Sequence, residues 1–295
     1  MILHNVSRTH RSLFNAIVAA TLFILILGFS ALPASAAQQA SGWSSFDTGV
    51  WEPEIDWSSL EKKKMEKPAV EVRAATSYMG WLAEGKSHQT PYYVFDSGVD
   101  GPTVAVVGGM HGNEIAGWKS AWSVKDYWVK KGRLVVIPEA NRPAVNERER
   151  KSSLGDLNRD FPRTATDKPD NYLAKDIWNL MVEFKPDWLI DMHEGYSFHK
   201  INKKSVGQTV IYYPNGNAKS MAEKMVKAMN KHIDKKNHAF TTLKSPVKGS
   251  LARAVSIRLG TKGMIVETSN KQPIAVRTTQ HLAALDAMLK ELGMR

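Results

Sequence analysis

Apolar positions follow two alternating patterns through most of this chain. Short, nearly continuous apolar runs, typical of buried strands, occur at residues 91–95, 103–107, 133–137, 188–192, 209–213 and 264–266. Runs with helical spacing of apolar residues occur at 114–127, 172–184, 218–232, 250–259 and 276–292. We therefore predict a single α/β domain whose mixed, largely parallel twisted sheet carries helices on both faces.

The first 36 residues have the pattern of a secretory signal peptide. Arg8 and Arg11 precede an apolar run over residues 16–27, and the small-residue sequence Ala34-Ser35-Ala36 follows. The run is shorter than the ~20 residues of a membrane span, which disfavours an uncleaved anchor. We expect cleavage after Ala36 and a secreted, extracytoplasmic protein in the cell-wall or periplasmic space, with no stable membrane insertion.

Residues 37–75 are rich in serine, tryptophan and charge and lack regular periodicity, so we interpret them as an N-terminal arm or linker. The single folded domain is then expected over residues 76–295. Ordinary globular composition, 43% apolar and 23% charged, excludes a disordered or collagen-like chain. The net charge of +11 falls to +9 without residues 1–36, which carry two arginines and no acid.

The chain has no cysteine, so any metal site must use histidine and carboxylate ligands. His111 lies in the glycine turn after the run at 103–107, and Glu114 opens the helix that follows. His193 follows another apolar run, and Asp191 lies two residues before it on the same strand face. Two imidazoles and a carboxylate suit zinc, with Asp191 orienting a ligand. Alternatively, Glu114 only complements the helix dipole and His193 is a core histidine.

Glu267 directly follows the apolar run at 264–266. A carboxylate at the end of a buried strand is seldom buried without a partner, and it could act as the general base toward a water molecule. The alternative is a structural carboxylate that caps a loop.

Arginines are concentrated in the loop between Glu114 and His193. Taken alone, residues 147–151 favour a solvated loop of mixed charge, whereas the segment that begins at Asp156-Leu-Asn-Arg159 interleaves polar and apolar residues and does not. Arginine forks match carboxylates and can stabilise an oxyanion.

Four motifs together resemble the zinc carboxypeptidase superfamily, and within it the succinylglutamate desuccinylase/aspartoacylase branch. They are His111-Gly-Asn-Glu114, Asp156-Leu-Asn-Arg159, Asp191-Met-His193 and Val266-Glu267. The resemblance implies one Zn²⁺ per chain, bound by His111, Glu114 and His193. It further implies that Glu267 is the general base and later proton donor, and that Asn158 and Arg159 hold the free carboxylate of the substrate.

The resemblance also implies an arginine that polarises the scissile carbonyl and a tyrosine on a mobile loop. Arg150 is our choice for the arginine, with Arg148 and Lys151 as close alternatives. No tyrosine occurs between Thr241 and Glu267, so this role is either absent or filled from elsewhere, with Tyr196 and Tyr212 as the candidates.

Residues 80–87 match the phosphate-loop pattern G-x-x-x-x-G-K-S. No apolar strand is evident before Gly80, and a strand-like run follows where a helix is required. We therefore do not interpret this segment as a nucleotide site.

The sequence thus predicts an exported zinc-dependent hydrolase, a metallo-carboxypeptidase or deacylase. Its expected partner is a peptide or N-acyl amino acid with a free carboxylate. Peptidoglycan peptide is suggested by the expected export alone. We expect no nucleic-acid partner. The alternatives are a deacylase of small N-acyl amino acids and a non-catalytic protein of the same fold that binds a wall or polyanion.

Overall fold

A single eight-stranded sheet runs through residues 73–295, the part of the chain that the computed structural model describes. The predicted signal peptide and all but the last three residues of the predicted arm lie outside the described residues. The strands are β1 (Thr76–Leu82), β2 (Thr90–Asp96), β3 (Thr103–Gly108), β4 (Arg133–Ile137), β5 (Trp188–Gly195), β6 (Thr209–Tyr212), β7 (Thr241–Lys244) and β8 (Lys262–Ser269).

The sheet has the order β1-β2-β4-β3-β5-β8-β6-β7. The central strands β4, β3, β5 and β8 are mutually parallel, and β7 is parallel to β6. Antiparallel pairing joins β1 to β2, β2 to β4 and β6 to β8. This confirms the predicted mixed, largely parallel sheet and brings the carboxyl ends of β3, β5 and β8 to one edge.

The helices cover both faces, as predicted. They are α1 (Ile115–Val124), α2 (Arg142–Glu147), α3 (Tyr172–Phe184), α4 (Ala218–Met229), α5 (Leu251–Arg258) and α6 (Ile274–Glu291). Along β3, Val104 and Val106 pack in the layer that contains α1, α4 and α6, whereas Ala105 and Val107 pack toward α3 and α5. Because both faces are buried, the strand is apolar at every position from Val104 to Val107.

Three elements were missed from the sequence, namely the edge strands β1 and β7 and the short helix α2. Most side chains of β1 are exposed and those of β7 are at best half-buried, so neither strand needs an apolar run. Gly80 itself lies within β1, a mostly exposed strand, so a strand is present at this position although it is not a buried apolar one. The conclusion that residues 80–87 are not a nucleotide site still stands, because β2 and not a helix follows the turn at residues 83–89.

Within the described residues, no helix combines the length and the apolar character needed to cross a membrane. The described residues fall within one unit, Met65–Arg295.

Candidate metal centre and active site

Glycines in the turn after β3 and in α1 allow His111 and Glu114 to approach β5. A Cβ atom at Gly112 would lie 1.8 Å from the carbonyl oxygen of Ala144, and one at Gly117 would lie 2.3 Å from that of Met192. A larger residue at Gly112 would push the turn away from α2. A larger residue at Gly117 would push α1 away from β5. Glu114 directly precedes α1, so its carboxylate is carried to the edge of the sheet.

His193 reaches the same place because β5 extends beyond the predicted apolar run to Gly195. The alternation of side chains along the strand puts His193 and Asp191 on one face and Glu194 on the other. His193 and Glu267 are register partners on β5 and β8. The structure therefore brings together four residues that were predicted from three separate motifs. His111, Glu114, His193 and Glu267 all lie at one edge of the sheet.

His111, Glu114 and His193 form a buried cluster whose potential ligand atoms all lie within 4.8 Å of one another. The Nδ1 atom of His111 is 2.7 Å from Glu114 Oε1, and that of His193 is 2.7 Å from Glu114 Oε2. Both imidazoles thus present the same nitrogen toward one carboxylate, as the ligands of a single ion would.

The outer nitrogen of each histidine faces a second carboxylate. His111 Nε2 is 2.9 Å from Asp156 Oδ1, and His193 Nε2 is 3.0 Å from Asp191 Oδ2. The Asp191 contact lacks hydrogen-bond geometry, and the two Asp191 oxygens have no hydrogen-bond partner among the described residues. Carboxylates behind metal-bound histidines fix the ring orientation and raise ligand basicity, so Asp191 is placed as predicted. The matching role of Asp156 was missed.

The electrostatics of the cluster favour a bound cation. Burial alone would lower the pKa of His111 and of His193, but the surrounding carboxylates outweigh it and raise both. Burial would raise the pKa of Glu114 and of Asp156, but His111 and His193 outweigh it at Glu114, and His111 with Arg150 and Arg159 outweighs it at Asp156, so both are lowered. The carboxylates therefore stay ionised and create a negative field around the imidazoles. Two imidazole nitrogens and one carboxylate fit the ligand set of a catalytic zinc site.

Glu267 is only 8% exposed, and its carboxylate accepts no hydrogen bond from the described residues. Burial raises the pKa of Glu267 to about 7, a rise that the nearby histidines limit and Glu114 reinforces. A carboxyl group with a near-neutral pKa can both accept and donate a proton.

The cluster opens into a cavity of about 480 Å³ that Arg150, Asn158, Arg159 and Glu267 also line. The guanidinium of Arg150 is 3.3 Å from Glu114 Oε1 and 3.3 Å from Asp156 Oδ2. Arg148 and Lys151, the alternatives to Arg150, are not among the residues that line the cavity.

Asn158 and Arg159 differ in how their side chains contact other residues of the protein. The Asn158 amide lies 3.3 Å from His193 Nε2, and its oxygen accepts a hydrogen bond of 3.2 Å from Leu251 N. The Arg159 guanidinium donates to the carbonyl oxygen of Asn158 and faces the cavity. Arg159 is thus available to a ligand, whereas Asn158 is also held by the start of α5.

Of the two tyrosines considered, the structure brings Tyr196 to the cavity and leaves Tyr212 away from it. Tyr196 is half exposed and lines the cavity wall. Tyr212 is buried in the core layer on the opposite face of the sheet, because alternation along β6 directs it toward α4. The expectation that Tyr212 could replace the family's tyrosine was therefore wrong.

Two polar clusters near the site were not found from the sequence. On the opposite face of β5, buried Glu194 pairs with Arg277 of α6 and accepts a hydrogen bond from Ala116 N of α1. Near the arginine loop, buried His88 lies 2.7 Å from Tyr172 Oη and 3.1 Å from Ser152 Oγ. Neither cluster has a sequence signal, since its members are far apart in the chain.

Residues 100–289, more than half of the chain, match the catalytic domain of the succinylglutamate desuccinylase/aspartoacylase family. Over 101 residues the chain is 29% identical to the N-alpha-acetyl-L-2,4-diaminobutyric acid deacetylase of Halomonas elongata. That match covers 32% of this chain and 29% of the relative.

Two solved structures share the fold. The mDAP-bound form of Helicobacter pylori Csd4, a D,L-carboxypeptidase, matches with a TM-score of 0.58 and 20% identity, over 66% of this chain and 52% of Csd4. A succinylglutamate desuccinylase/aspartoacylase from Rhodobacter sphaeroides matches with a TM-score of 0.52 and 18% identity, over 75% of this chain and 66% of that chain. The chain thus spans about half the length of Csd4.

Proposed function

The chain belongs to the succinylglutamate desuccinylase/aspartoacylase family, and we propose that it is an exported zinc hydrolase. We propose that it cleaves an amide bond in a peptide or N-acyl amino acid that carries a free carboxylate. The main support is one cavity that joins the cluster of His111, Glu114 and His193 to the buried carboxylate of Glu267.

A zinc ion held by His111, Glu114 and His193 would supply a Lewis acid at the inner end of the cavity. Glu267 accepts a proton from the attacking water on its carboxylate and later delivers that proton to the nitrogen of the leaving amine. Burial raises the pKa of Glu267, which favours the later donation, and a bound cation would lower it, which favours the earlier acceptance.

Two arginines then act on the substrate. The guanidinium of Arg150 is anchored on Glu114 and Asp156 and faces the cavity, so it can donate hydrogen bonds to the carbonyl oxygen as negative charge develops there. Arg159 holds the free carboxylate, with Asn158 beside it. Holding the substrate at both points places the amide next to Glu267.

We favour a peptide substrate, with cell-wall peptide as the first class to test, because the proposed signal segment would place the enzyme outside the cytoplasm. The similar fold of Csd4, a D,L-carboxypeptidase, supports the same choice. The second candidate is a deacylase of small N-acyl amino acids, which the match to the Halomonas elongata deacetylase supports.

Metal quantification followed by a hydrolysis screen tests the proposal. The purified protein should retain one zinc per chain and should hydrolyse at least one of three panels: muropeptides, other short peptides and N-acyl amino acids. Turnover of muropeptides supports the first candidate, and turnover of small N-acyl amino acids alone supports the second. Protein without zinc that binds anionic polymer in a salt-sensitive manner would overturn both in favour of a polyanion-binding protein.

Export is tested separately by mass spectrometry of the full chain after expression in a bacterium. The expected product begins at Ala37, and blocking cleavage with Ala36→Phe should retain the precursor. A mature protein that keeps residues 1–36 in the cytoplasm would overturn the proposed localisation.

A further inference from the structure

One face of the sheet at the edge strand β1 carries exposed aromatic and thioether side chains. Leu82 of β1 packs in the core layer that contains α3, so alternation along the strand directs Met79 and Trp81 to the opposite face. Their register neighbours on β2 are Tyr93 and Pro91. Met79 is 46% exposed and Trp81 is 38% exposed, so the described residues leave this face of β1 partly open to solvent.

Ring contacts extend this face from β2 to α1 and to the segment after α1. The Trp122 ring on α1 lies edge-to-face with Tyr93, with the centroids 5.8 Å apart, and the Trp128 ring lies 4.7 Å from that of Phe95. Tyr93 and Phe95 are two residues apart on β2 and therefore share one face. Trp128 is nonetheless 73% exposed, the largest fraction among the large apolar side chains of the described residues. A ring that is oriented by a packed neighbour and yet open to solvent is typical of a binding surface.

This face leads back to the candidate active site. Trp118 lies one turn before Trp122 on α1, about 6 Å nearer the carboxyl end of β3. The indole Nε1 of Trp118 donates to the carbonyl oxygen of Gly112 at 3.2 Å, in the turn that carries His111. The next residue of this turn, Asn113, is exposed and lines the cavity. We call the neighbouring rings along this face the aromatic row; they are Trp81, Tyr93, Trp118, Trp122 and Trp128.

Ammonium groups lie beside the rings of the aromatic row. Lys119 Nζ is 5.8 Å from the centroid of the Trp118 ring, and Lys125 Nζ is 5.9 Å from that of Tyr93. A sugar ring matches this combination, because its C–H face packs on aromatic rings and its hydroxyl and acetamido oxygens accept hydrogen bonds from ammonium groups. Interfaces between proteins are instead depleted of lysine. The chemistry of the aromatic row therefore favours a carbohydrate partner.

We propose that the aromatic row binds a glycan chain alongside the mouth of the cavity. Sugar rings stack on Trp81 and Trp128, and the chain passes Trp118 on its way to the turn that carries His111. The inference rests on the proposed function in one respect, since it takes the substrate peptide to be attached to such a chain. Binding the chain raises the concentration of attached peptides at the cavity, which lowers KM for a polymeric substrate and leaves kcat unchanged.

Co-sedimentation of the zinc-loaded protein with peptidoglycan strands tests the proposal without turnover, once an amidase has removed the peptides from the strands. The protein should sediment with these strands, and Trp128→Ala and Trp81→Ala should each weaken binding about three- to tenfold. Trp128→Phe keeps a ring and should lose less than Trp128→Ala. With intact peptidoglycan as substrate, Trp128→Ala should raise KM by a similar factor and leave kcat unchanged.

Tyr78→Ala is the matched control. Tyr78 is an exposed aromatic residue of the same strand, but it faces the opposite side of the sheet together with Leu82. This variant should bind the strands as the wild type does. An equal loss in Tyr78→Ala would mean non-specific adhesion and would overturn the proposal, as would a wild-type protein that does not bind the strands.

Other occupants of the aromatic row give different results, each of which would overturn the proposal. A second copy of the chain would give a dimer that Trp128→Ala dissociates in sedimentation velocity. A lipid surface would give Trp128-dependent binding to vesicles of phosphatidylglycerol and phosphatidylethanolamine. Residues 37–72 would shield Trp128 of the monomer from acrylamide quenching, measured as the difference between wild type and Trp128→Phe.

The proposed function and the glycan surface fail separately. Trp128-dependent binding of the peptide-free strands by a protein that hydrolyses no peptide or N-acyl amino acid would contradict the proposed function and leave the glycan surface standing. Hydrolysis of short peptides without any binding of the strands would support the proposed function and overturn the glycan surface.

Discussion

His193 and Glu267 lie side by side on the parallel strands β5 and β8, as register partners at the same level of the sheet. A proposed metal ligand and the proposed base are therefore held by backbone hydrogen bonds of the central sheet and not by a loop. Rigid placement of this kind favours a base that acts on a water molecule beside the ion.

Glu267→Gln is expected to retain zinc and lose activity. The amide has nearly the shape of the carboxylate but cannot accept a proton, so kcat should fall by a factor of about 10²–10⁴. Metal analysis and steady-state kinetics on the same preparation measure both effects. Near wild-type kcat in a zinc-loaded variant would contradict the assignment of Glu267 as the base.

The activity should decrease as the pH falls through the pKa of Glu267, because only the ionised carboxylate accepts a proton. Burial raises the pKa of Glu267 to about 7 in the protein without metal, and a bound cation would lower it. NMR titration of isotope-labelled glutamate in the metal-free protein should show the raised pKa. The acid limb of kcat/KM for the loaded enzyme should lie at lower pH.

Asp156→Asn should weaken zinc binding. Asp156 Oδ1 accepts a hydrogen bond from His111 Nε2, and loss of such support typically costs 10–100-fold in metal affinity. Competition with a chelator measures the change. Asp160→Asn is the matched control, since Asp160 lies in the same segment but accepts its side-chain hydrogen bond from Asn171; equal losses in both variants would argue against a specific role.

Removing Arg277 should destabilise the fold, because Glu194 would remain buried without its partner. We expect Arg277→Met to cost about 3–5 kcal/mol of unfolding free energy, measured with urea. Burial already raises the pKa of Glu194 although Arg277 opposes the shift, and the variant should raise it further. A raised carboxyl pKa contributes stability at low pH that is lost as the pH rises, so the variant should be least stable at alkaline pH.

His88→Ala should lower activity through the loop that carries Arg150 and Asp156. His88 connects Ser152, which lies between those two residues, to Tyr172 on α3. A misplaced Arg150 should reduce kcat about tenfold, with the pH profile unchanged. Gln89→Ala is the control, because Gln89 holds only the turn through Gly85 N. Unaltered kcat in a folded His88→Ala protein would show that the contact is only structural.

The sequence alone determined the central strands, most of the helices and the clustering of His111, Glu114, His193 and Glu267 at one sheet edge. Buried parallel strands must be apolar on both faces, and their carboxyl ends meet at one edge. Residues that directly follow such apolar runs are therefore expected to lie together, even when they are far apart in the chain.

Only the tertiary structure placed Arg150 in the cavity and not Arg148, excluded Tyr212, and brought Asp156 to His111 and Arg277 to Glu194. Each of these depends on how a loop or a distant helix packs, and such contacts leave no periodic signal in the chain. The edge strands β1 and β7 were not predicted from the sequence for a related reason. They are held by backbone pairing and bury few side chains.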